Sequence, residues 1–321
     1  MISINIPELK LGKLKAKVPI IQGGMAVKVS TAPLAAAVAN EGGIGLIAGT
    51  GMTTGELSTQ IKKAKKMSSG IIGVNIMVAI TKFKELVKTS VREKIDLIVS
   101  GAGFSRDIFK ITRENDIEYV PVVSSLKLAQ ISEKLGASAV IVEGKEAGGH
   151  LGTDQPLKKL IKNIQNKVDI PVIAAGGIVN GQKFAEMLQL GADGVQMGSR
   201  FVLSEECQVA DDFKQTYLNS KKEDNILIDS PVGLTGRIIK NMFSKALELG
   251  KINSAEDCDY LCLKKCSRSF CIMKALNAAR RGNMKRGLVF AGEKTHLIEK
   301  IKPVKDIIND IIYEAKNILD N

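Results

Sequence analysis

The stretch SAVIVEGKEAGGHLG, residues 138–152, combines a buried strand with a glycine-rich loop. Small and β-branched residues over 138–142 indicate the strand, and His150 follows in the loop, close to two carboxylates. Glycines allow a backbone to approach a flat or charged ligand closely, and an imidazole just past a buried strand can give or take a proton. The alternative interpretation is a glycine-rich turn with a histidine on the surface.

The same order of strand, loop and helix recurs along the first two thirds of the chain. Eight apolar stretches predict strands, at residues 18–22, 44–48, 71–75, 97–100, 119–123, 139–142, 171–175 and 194–197. Eight such units predict an α/β fold, the (β/α)8 or TIM barrel, and the apolar strands suit a parallel sheet covered by helices. A doubly wound open sheet is the alternative, but no G-x-G-x-x-G sequence follows the first strand.

The pattern changes after Ser204 and predicts three parts. Residues 1–204 form the barrel, residues 205–290 a helical, cysteine-containing subdomain over the barrel mouth, and residues 291–321 a C-terminal helix that returns to the barrel. Residues 205–222 and 237–250 read as helices. Residues 226–236 read as a linker or loop because they contain Pro231 and two glycines.

Composition limits the classes of function. The net charge is +12, but the lysines are scattered, only 4% of residues are aromatic and there is no Trp. Nucleic-acid binding is not expected, since base-stacking platforms need aromatic side chains. Without a long apolar run or the core of a signal peptide, we expect a cytoplasmic protein that does not bind membranes.

Two glycine-containing turns, AGGI at 175–178 and QMGSR at 196–200, follow the seventh and eighth strands. Backbone N–H groups exposed at neighbouring strand ends can cradle a phosphate, and the Ser199 hydroxyl adds a donor. The pairing predicts a phosphate-bearing ligand at this end of the barrel. Tight turns without a ligand are the alternative.

Three other strand ends carry GGM at 23–25, Asn75 and GAG at 101–103. Small residues and a side-chain amide suit a flat ring system that forms hydrogen bonds. The chain resembles the nitronate monooxygenase family in PIIQGGM at 19–25, GVN at 73–75, EGKEAGGH at 143–150 and residues 171–178 and 196–201. That family includes the 2-nitropropane dioxygenases and the FMN-dependent enoyl-acyl-carrier-protein reductases, and the resemblance spans about residues 4–204.

The resemblance implies a barrel that holds FMN without a covalent bond. It implies a set of cofactor contacts at Gly23, Gly24, Met25, Asn75, Glu143, Gly148, Gly177, Gln196, Met197, Gly198 and Ser199. It also implies that His150 is the active-site histidine, acting as a base or orienting the substrate. The flavin would carry the redox chemistry.

Two activities compete within the family. Oxidation of alkyl nitronates by O2 ranks first, and NAD(P)H-dependent reduction of an enoyl-acyl-carrier-protein ranks second. Glu143 favours the reductase, since several nitronate-oxidising relatives have an amide there, and the positive charge would suit an acidic carrier protein. A flavin-free, phosphate-binding isomerase or aldolase and a redox sensor are weaker hypotheses. Either activity implies a small-molecule substrate, and a homodimer is a further prediction.

Four cysteines, Cys258, Cys262, Cys266 and Cys271, fall within 14 residues. Their spacing is not that of a zinc finger. If residues 257–265 formed a helix running on to Cys266, Cys258 and Cys266 would lie ~12 Å apart, too far for one metal. A zinc or iron–sulfur site therefore requires the helix to break near Cys266, and a buried row of thiols is the alternative.

Overall fold

The structure is a computed structural model, and it describes residues 6–25, 27–252, 254–255, 258 and 262–320. The strands are β1 Leu9–Leu11, β2 Leu14–Ala16, β3 Ile20–Gln22, β4 Ile44–Ala48, β5 Ile71–Met77, β6 Leu97–Gly101, β7 Glu118–Val123, β8 Val140–Glu143, β9 Gly149–Leu151, β10 Val172–Ala175, β11 Gly194–Met197, β12 Asn225–Asp229 and β13 Thr235–Ile239. The helices are α1 Ala32–Asn40, α2 Thr54–Met67, α3 Phe83–Arg92, α4 Asp107–Glu114, α5 Leu126–Lys134, α6 Leu157–Ile164, α7 Gly181–Gln189, α8 Ser199–Val202, α9 Asp211–Leu218, α10 Met242–Glu248, α11 Ile272–Arg280 and α12 Val304–Leu319.

Eight parallel strands form a closed barrel in the order β3, β4, β5, β6, β7, β8, β10 and β11. The barrel closes where β11 pairs with β3, with Val195 beside Ile20. Each of the eight strands lies where the sequence predicts one, so the TIM barrel is confirmed. The open-sheet alternative is wrong, because β3 is hydrogen-bonded on both sides.

The strands are apolar because both of their faces are buried. Residues such as Ile21, Leu46 and Val99 fill the interior of the barrel, whereas Val142 and Val195 face the surrounding helices. The alternation of side chains along each strand produces these two layers. The polar residues that remain at the carboxyl ends of the strands are therefore free to form a site.

A hairpin of β1 and β2 closes the opposite end of the barrel. Leu9 and Leu11 are buried in the interior layer. Leu9 lies against Gly194, and Gly12 lies against Glu118, which are the first residues of β11 and β7. The sequence analysis did not identify this hairpin, although the alternating polar and apolar residues are typical of a strand.

Residues 205–290 contain strands as well as helices, and the sequence analysis did not predict the strands. The antiparallel hairpin of β12 and β13 occupies the stretch read as a linker and the start of the stretch read as a helix. Pro231 and Gly233 form its turn, and β13 pairs with β9 in a three-stranded sheet. Pro and Gly mark hairpin turns as well as linkers, and the partner β9 lies far upstream in the chain.

Helix α12 packs on α7, where the Gly181 N–H donates to the Glu314 carboxylate at 2.7 Å. A Cβ at Gly181 would meet the Ile311 carbonyl and the Glu314 side chain, so a small residue is needed there. Within the described ranges, no helix combines the length and apolarity needed to cross a membrane.

Candidate active site

A cavity lies at the carboxyl ends of the barrel strands, where TIM barrels carry their active sites. Its walls include these predicted residues: Gly23, Gly24, Met25, Asn75, Glu143, Gly148, His150, Gly177, Gln196, Gly198 and Ser199. The structure therefore brings together residues that are up to 176 positions apart (Gly23 to Ser199). The predicted Met197 does not line it.

The Met197 side chain is buried in the hydrophobic layer between the barrel and its helices. Successive residues of a strand point to opposite faces, so Gln196 faces the cavity and Met197 points away from it. Only the main chain of Met197 contributes at the rim, since its carbonyl accepts the Gly23 N–H at 2.9 Å. A cofactor contact at Met197 would therefore be made by its main chain.

The loop after β3 is held against the cavity by buried polar groups. Ser30 Oγ accepts the Met25 N–H at 2.7 Å and also lies 3.1 Å from the Gln22 amide. Asn75 Nδ2 donates to the Gly24 carbonyl at 2.9 Å. A Cβ at Gly24 would overlap the Asn75 side chain, so this close approach requires glycine.

The turns after β10 and β11 lie side by side at the cavity, as the predicted phosphate cradle requires. Gly176 and Gly177 have φ values of +119° and +68°, which favour glycine. Gly198 and Ser199 lie at the adjacent strand end, since β10 and β11 are paired. Ser199 Oγ accepts the Gly292 N–H at 2.9 Å, which leaves its own hydrogen free to donate to a ligand.

Glu143 ends β8 at the base of the cavity. Burial raises the pKa of its carboxyl to about 8, because removal from water disfavours the charged form. At neutral pH the group is therefore mostly protonated. Glu143 is the one predicted cofactor contact that would offer a carboxylic acid O–H group to a ligand.

His150 lies in β9, which pairs with β13 so that His150 stands opposite Gly236. Its Nε2 lies 2.7 Å from Ser230 Oγ, and its ring packs edge-on against Phe290 with centroids 5.0 Å apart. Burial lowers the pKa of the imidazole to about 4, so the ring is neutral at pH 7.

Part of the cavity wall comes from residues that the sequence analysis did not single out: Tyr217, Leu276, Leu288, Phe290, Ala291 and Gly292. Residues 289 and 290 lie beside β13 and extend the three-stranded sheet. Ile238 pairs with Phe290, and the Ile239 N–H donates to the Val289 carbonyl at 2.9 Å. The Tyr217 hydroxyl also donates to the Phe290 carbonyl. The apolar run at 288–291 was the available signal for a buried segment.

The cavity suits a flavin. Gln196 Oε1 is buried and has no hydrogen-bond partner among the described residues, and a buried acceptor of this kind calls for a donor from a ligand. Gly24 and Gly148 sit where a Cβ would collide with neighbouring residues, so backbone lines the walls there. The glycine turns offer N–H groups to a phosphate.

The four clustered cysteines do not support the predicted metal site. All four belong to the described residues and are free thiols, and no group of three or more His, Cys, Asp or Glu in that set could hold a metal ion. Cys262 is fixed by its carbonyl, which accepts the Thr81 N–H at 3.1 Å, while Cys266 is exposed. The proposed helix from residue 257 falls partly outside the described residues, but residues 262–271 are not helical.

Comparison with known proteins places these features in a family. The chain matches the nitronate monooxygenase model over residues 8–96 and 78–314. It is 34% identical to FabK from Thermotoga maritima, with a TM-score of 0.86 and coverage of 94% of each chain. It is 29% identical to a (3aS,4S,5R,7aS)-5-hydroxy-7a-methyl-1-oxo-octahydro-1H-indene-4-carboxyl-CoA dehydrogenase of Rhodococcus jostii (strain RHA1), covering 94% of each.

It is also 28% identical to a probable nitronate monooxygenase of Staphylococcus aureus (strain MSSA476), covering 95% of this chain and 96% of that protein. The family match extends well past the barrel, into the segment that forms the wall around Phe290. The chain therefore belongs to the nitronate monooxygenase family of FMN-dependent oxidoreductases.

Proposed function

We propose that this oxidoreductase reduces the carbon–carbon double bond of an enoyl thioester. The observation that carries the proposal is the absence of charge in the cavity. Among the described residues that line it, none is Lys or Arg. Its ionisable side chains are neutral near pH 7, since burial raises the pKa of Glu143 and Tyr217 and lowers that of His150.

The wall opposite the glycine turns supports the same substrate. Leu276, Leu288 and Phe290 present apolar side chains to the cavity, and apolar area attracts an acyl chain through the hydrophobic effect. An uncharged thioester enters such a site without losing the hydration of an ion. A nitronate anion would lose that hydration with no cationic side chain to replace it.

FMN, when bound, would supply the two-electron redox chemistry. The chain would contribute binding, orientation and the exclusion of water. The turns at Gly177 and Gly198 would hold the phosphate, and Asn75 and Gln196 would contact the ring system, as the family resemblance implies. His150 would orient the substrate carbonyl, and Phe290 packs against the imidazole on the apolar wall.

Oxidation of alkyl nitronates is the second candidate, and it was the first choice on sequence alone. The family model and the staphylococcal relatives favour it. The glycine turns would bind an anion through backbone N–H groups rather than through cationic side chains. This end of the barrel could therefore also accept an anionic substrate. The two candidates differ in what reduces the flavin.

Anaerobic titration of the yellow holoprotein distinguishes them. For the reductase, NADH or NADPH bleaches the flavin absorbance, and crotonyl-CoA restores it without oxygen. For the monooxygenase, ethylnitronate or propionate 3-nitronate bleaches the flavin directly. Bleaching by a nitronate together with no response to either nicotinamide would overturn the proposal. Bleaching by a nicotinamide without reoxidation by crotonyl-CoA would also contradict it.

The form of the thioester is a further part of the proposal. The net charge of +12 suits an acidic acyl-carrier protein as the natural carrier. Comparison of kcat/KM for the same acyl group on the two carriers, at low and at high salt, tests this. A carrier-protein advantage that disappears with salt is the expected result.

A further inference from the structure

The hydroxyl of Ser230 lies 2.7 Å from Nε2 of His150. Ser230 is far from His150 in the chain, and it lies in the turn between β12 and β13. It is buried, with 6% of its surface exposed. Neither the sequence nor the family resemblance assigned it a role, so this pair adds a residue to the site.

We infer that Ser230 is a positioning residue that donates its hydroxyl hydrogen to Nε2 of His150. This bond holds the imidazole in the tautomer with the proton on Nδ1, and the histidine then acts toward substrate as a hydrogen-bond donor rather than as a base. This inference rests on the proposed function only in that His150 lies beside the substrate. The same hydrogen bond and tautomer are expected if the substrate is a nitronate.

The direction of the bond follows from the surroundings of the hydroxyl. Ser230 Oγ also lies 3.4 Å from the Val232 N–H, which can only donate. A hydroxyl oxygen has two lone pairs, so this N–H contact leaves the direction of the bond to Nε2 open. Among the described residues, however, Nε2 is the only recorded acceptor for the hydroxyl hydrogen of Ser230, and a buried hydroxyl requires one, so the hydroxyl donates to Nε2. A neutral imidazole has one donor and one acceptor nitrogen, so Nδ1 carries the proton.

Both partners are fixed by backbone bonds. The Ser230 N–H donates to the Leu234 carbonyl at 3.0 Å, and the Ser230 carbonyl accepts the Gly233 N–H at 2.9 Å. His150 lies in β9, where it is paired with Gly236 of the same hairpin. One three-stranded sheet therefore sets the distance between the hydroxyl and the ring.

The other ring nitrogen remains available to a ligand. Nδ1 of His150 has no hydrogen-bond partner among the described residues. It is not fully buried, since it is absent from the set of buried atoms without a partner. His150 lines the cavity. A neutral ring whose only free lone pair is occupied by Ser230 has no basic nitrogen left, but it has an N–H to offer to a thioester carbonyl or a nitronate oxygen.

The test uses the small number of histidines. The chain contains two, His150 and His296, so holoprotein labelled with 15N-histidine gives two imidazole spin systems in a long-range 1H–15N spectrum. That spectrum reports which nitrogen carries the proton. We expect His150 to show a protonated Nδ1 and an unprotonated Nε2. A protonated Nε2 in the wild-type holoprotein would overturn the inference.

Variants extend the test to the role of the hydroxyl. In Ser230→Ala the His150 signals should shift toward protonated Nε2, while those of His296 stay in place. Turnover should fall roughly tenfold to a hundredfold with flavin content unchanged. Ser230→Thr keeps the hydroxyl and should restore both the tautomer and the rate. Thr235→Ala removes a hydroxyl from the same hairpin away from His150 and should change neither.

The outcomes separate this inference from the proposed function. If Ser230→Ala leaves the tautomer unchanged, Ser230 does not position the ring, whatever the substrate is. If the enzyme oxidises nitronates, the tautomer and its dependence on Ser230 are still expected. Should Ser230→Ala fail to fold, the wild-type spectrum alone decides the direction of the bond.

Discussion

The two sides of the cavity differ in how the chain builds them. On the barrel side, short-range segments supply the glycine turns, Asn75 and Glu143 from the ends of strands that pair with their sequence neighbours. On the other side, residues around Phe290 supply the wall, and they are held by β13, which pairs with β9. Each strand end on the barrel side is signalled by its own local sequence, whereas the wall depends on pairings that the local sequence does not signal.

This difference has a functional consequence. The barrel side carries the residues predicted to contact the cofactor. The wall around Phe290 and the hairpin that carries Ser230 lie on the other side of the cavity, where we propose that the substrate binds. A family can therefore keep its cofactor while its substrate changes, because the two sides can vary separately. The relatives of this chain, which are named for different reactions, fit that division.

The largest expected effect comes from Gly148, where the two sides touch. A Cβ at Gly148 would lie 2.5 Å from the Ala291 carbonyl carbon and 2.6 Å from the Gly292 nitrogen. Gly148→Ala should push the wall away from the cradle, lower the free energy of unfolding by about 1–3 kcal/mol and reduce the flavin content of the purified protein. Thermal unfolding and the ratio of absorbance at 450 and 280 nm measure the two changes.

Gly55→Ala is the matched control. Gly55 lies in α2, and a Cβ there would meet nothing within 4 Å. Alanine favours helices over glycine by up to about 1 kcal/mol, so this variant should be as stable as the wild type or slightly more so, with full flavin. Equal flavin retention and stability in the Gly148 and Gly55 variants would show that the barrel side and the wall are not in tight contact at Gly148.

A smaller effect is expected at Arg237, which ties the hairpin to the loop before β9. Its guanidinium donates to the Lys145 carbonyl at 2.8 Å and to Asn225 Oδ1 at 2.6 Å. Arg237→Met should lower the free energy of unfolding by about 1–3 kcal/mol, since buried acceptors lose their donor. It should also lower kcat/KM while the flavin stays bound, because the cradle is untouched.

Arg106→Met removes the same charge from an exposed position and serves as its control. Urea unfolding gives the stability of both variants, and the enoyl thioester assay gives their rates. Loss of flavin in Arg237→Met would mean that the hairpin also supports the cofactor side. The separation drawn between the two sides would then be wrong.

The last comparison concerns the pH dependence of stability. The pKa of Glu143 rises from its ordinary value of 4.5 to about 8 in the folded protein. Between those values the folded state binds more protons than the unfolded state, so this group's contribution is full below pH 4.5 and is lost as the pH rises through 8. The difference should be on the order of a few kcal/mol at most, at 1.36 kcal/mol per pKa unit.

Glu143→Gln keeps the shape and remains uncharged at every pH, so its stability should fall less than that of the wild type between pH 5 and pH 9. Urea unfolding of flavin-free protein across this range measures the difference. His150 has the opposite trend, since its pKa of about 4 lies below 6.5 and its contribution grows as the pH rises from 4 to 6.5. Parallel curves for Glu143→Gln and the wild type between pH 5 and pH 8 would count against a neutral Glu143.

Much of the barrel could be predicted because its signals are local. Each strand is a short apolar run, and glycine indicates the turns that follow. The cradle at Gly177 and Gly198 followed from the rule that parallel strand ends meet at one rim. The sequence did not show that the Met197 side chain points away from the cavity. A motif covers a whole stretch, whereas the alternation of side chains decides which residue of that stretch faces the cavity.

The sequence by itself determined the barrel, its eight strands and the rim on which His150, Asn75 and the glycine turns gather. Only the tertiary structure decided that the stretch read as a linker is a hairpin, that Ser230 meets His150, and that Phe290 closes the cavity. The physical reason is distance along the chain. Periodicity reports which face of an element is buried, but not which remote segment will bury it. Whether a histidine or a carboxyl is charged depends on that remote segment, because it removes the group from water.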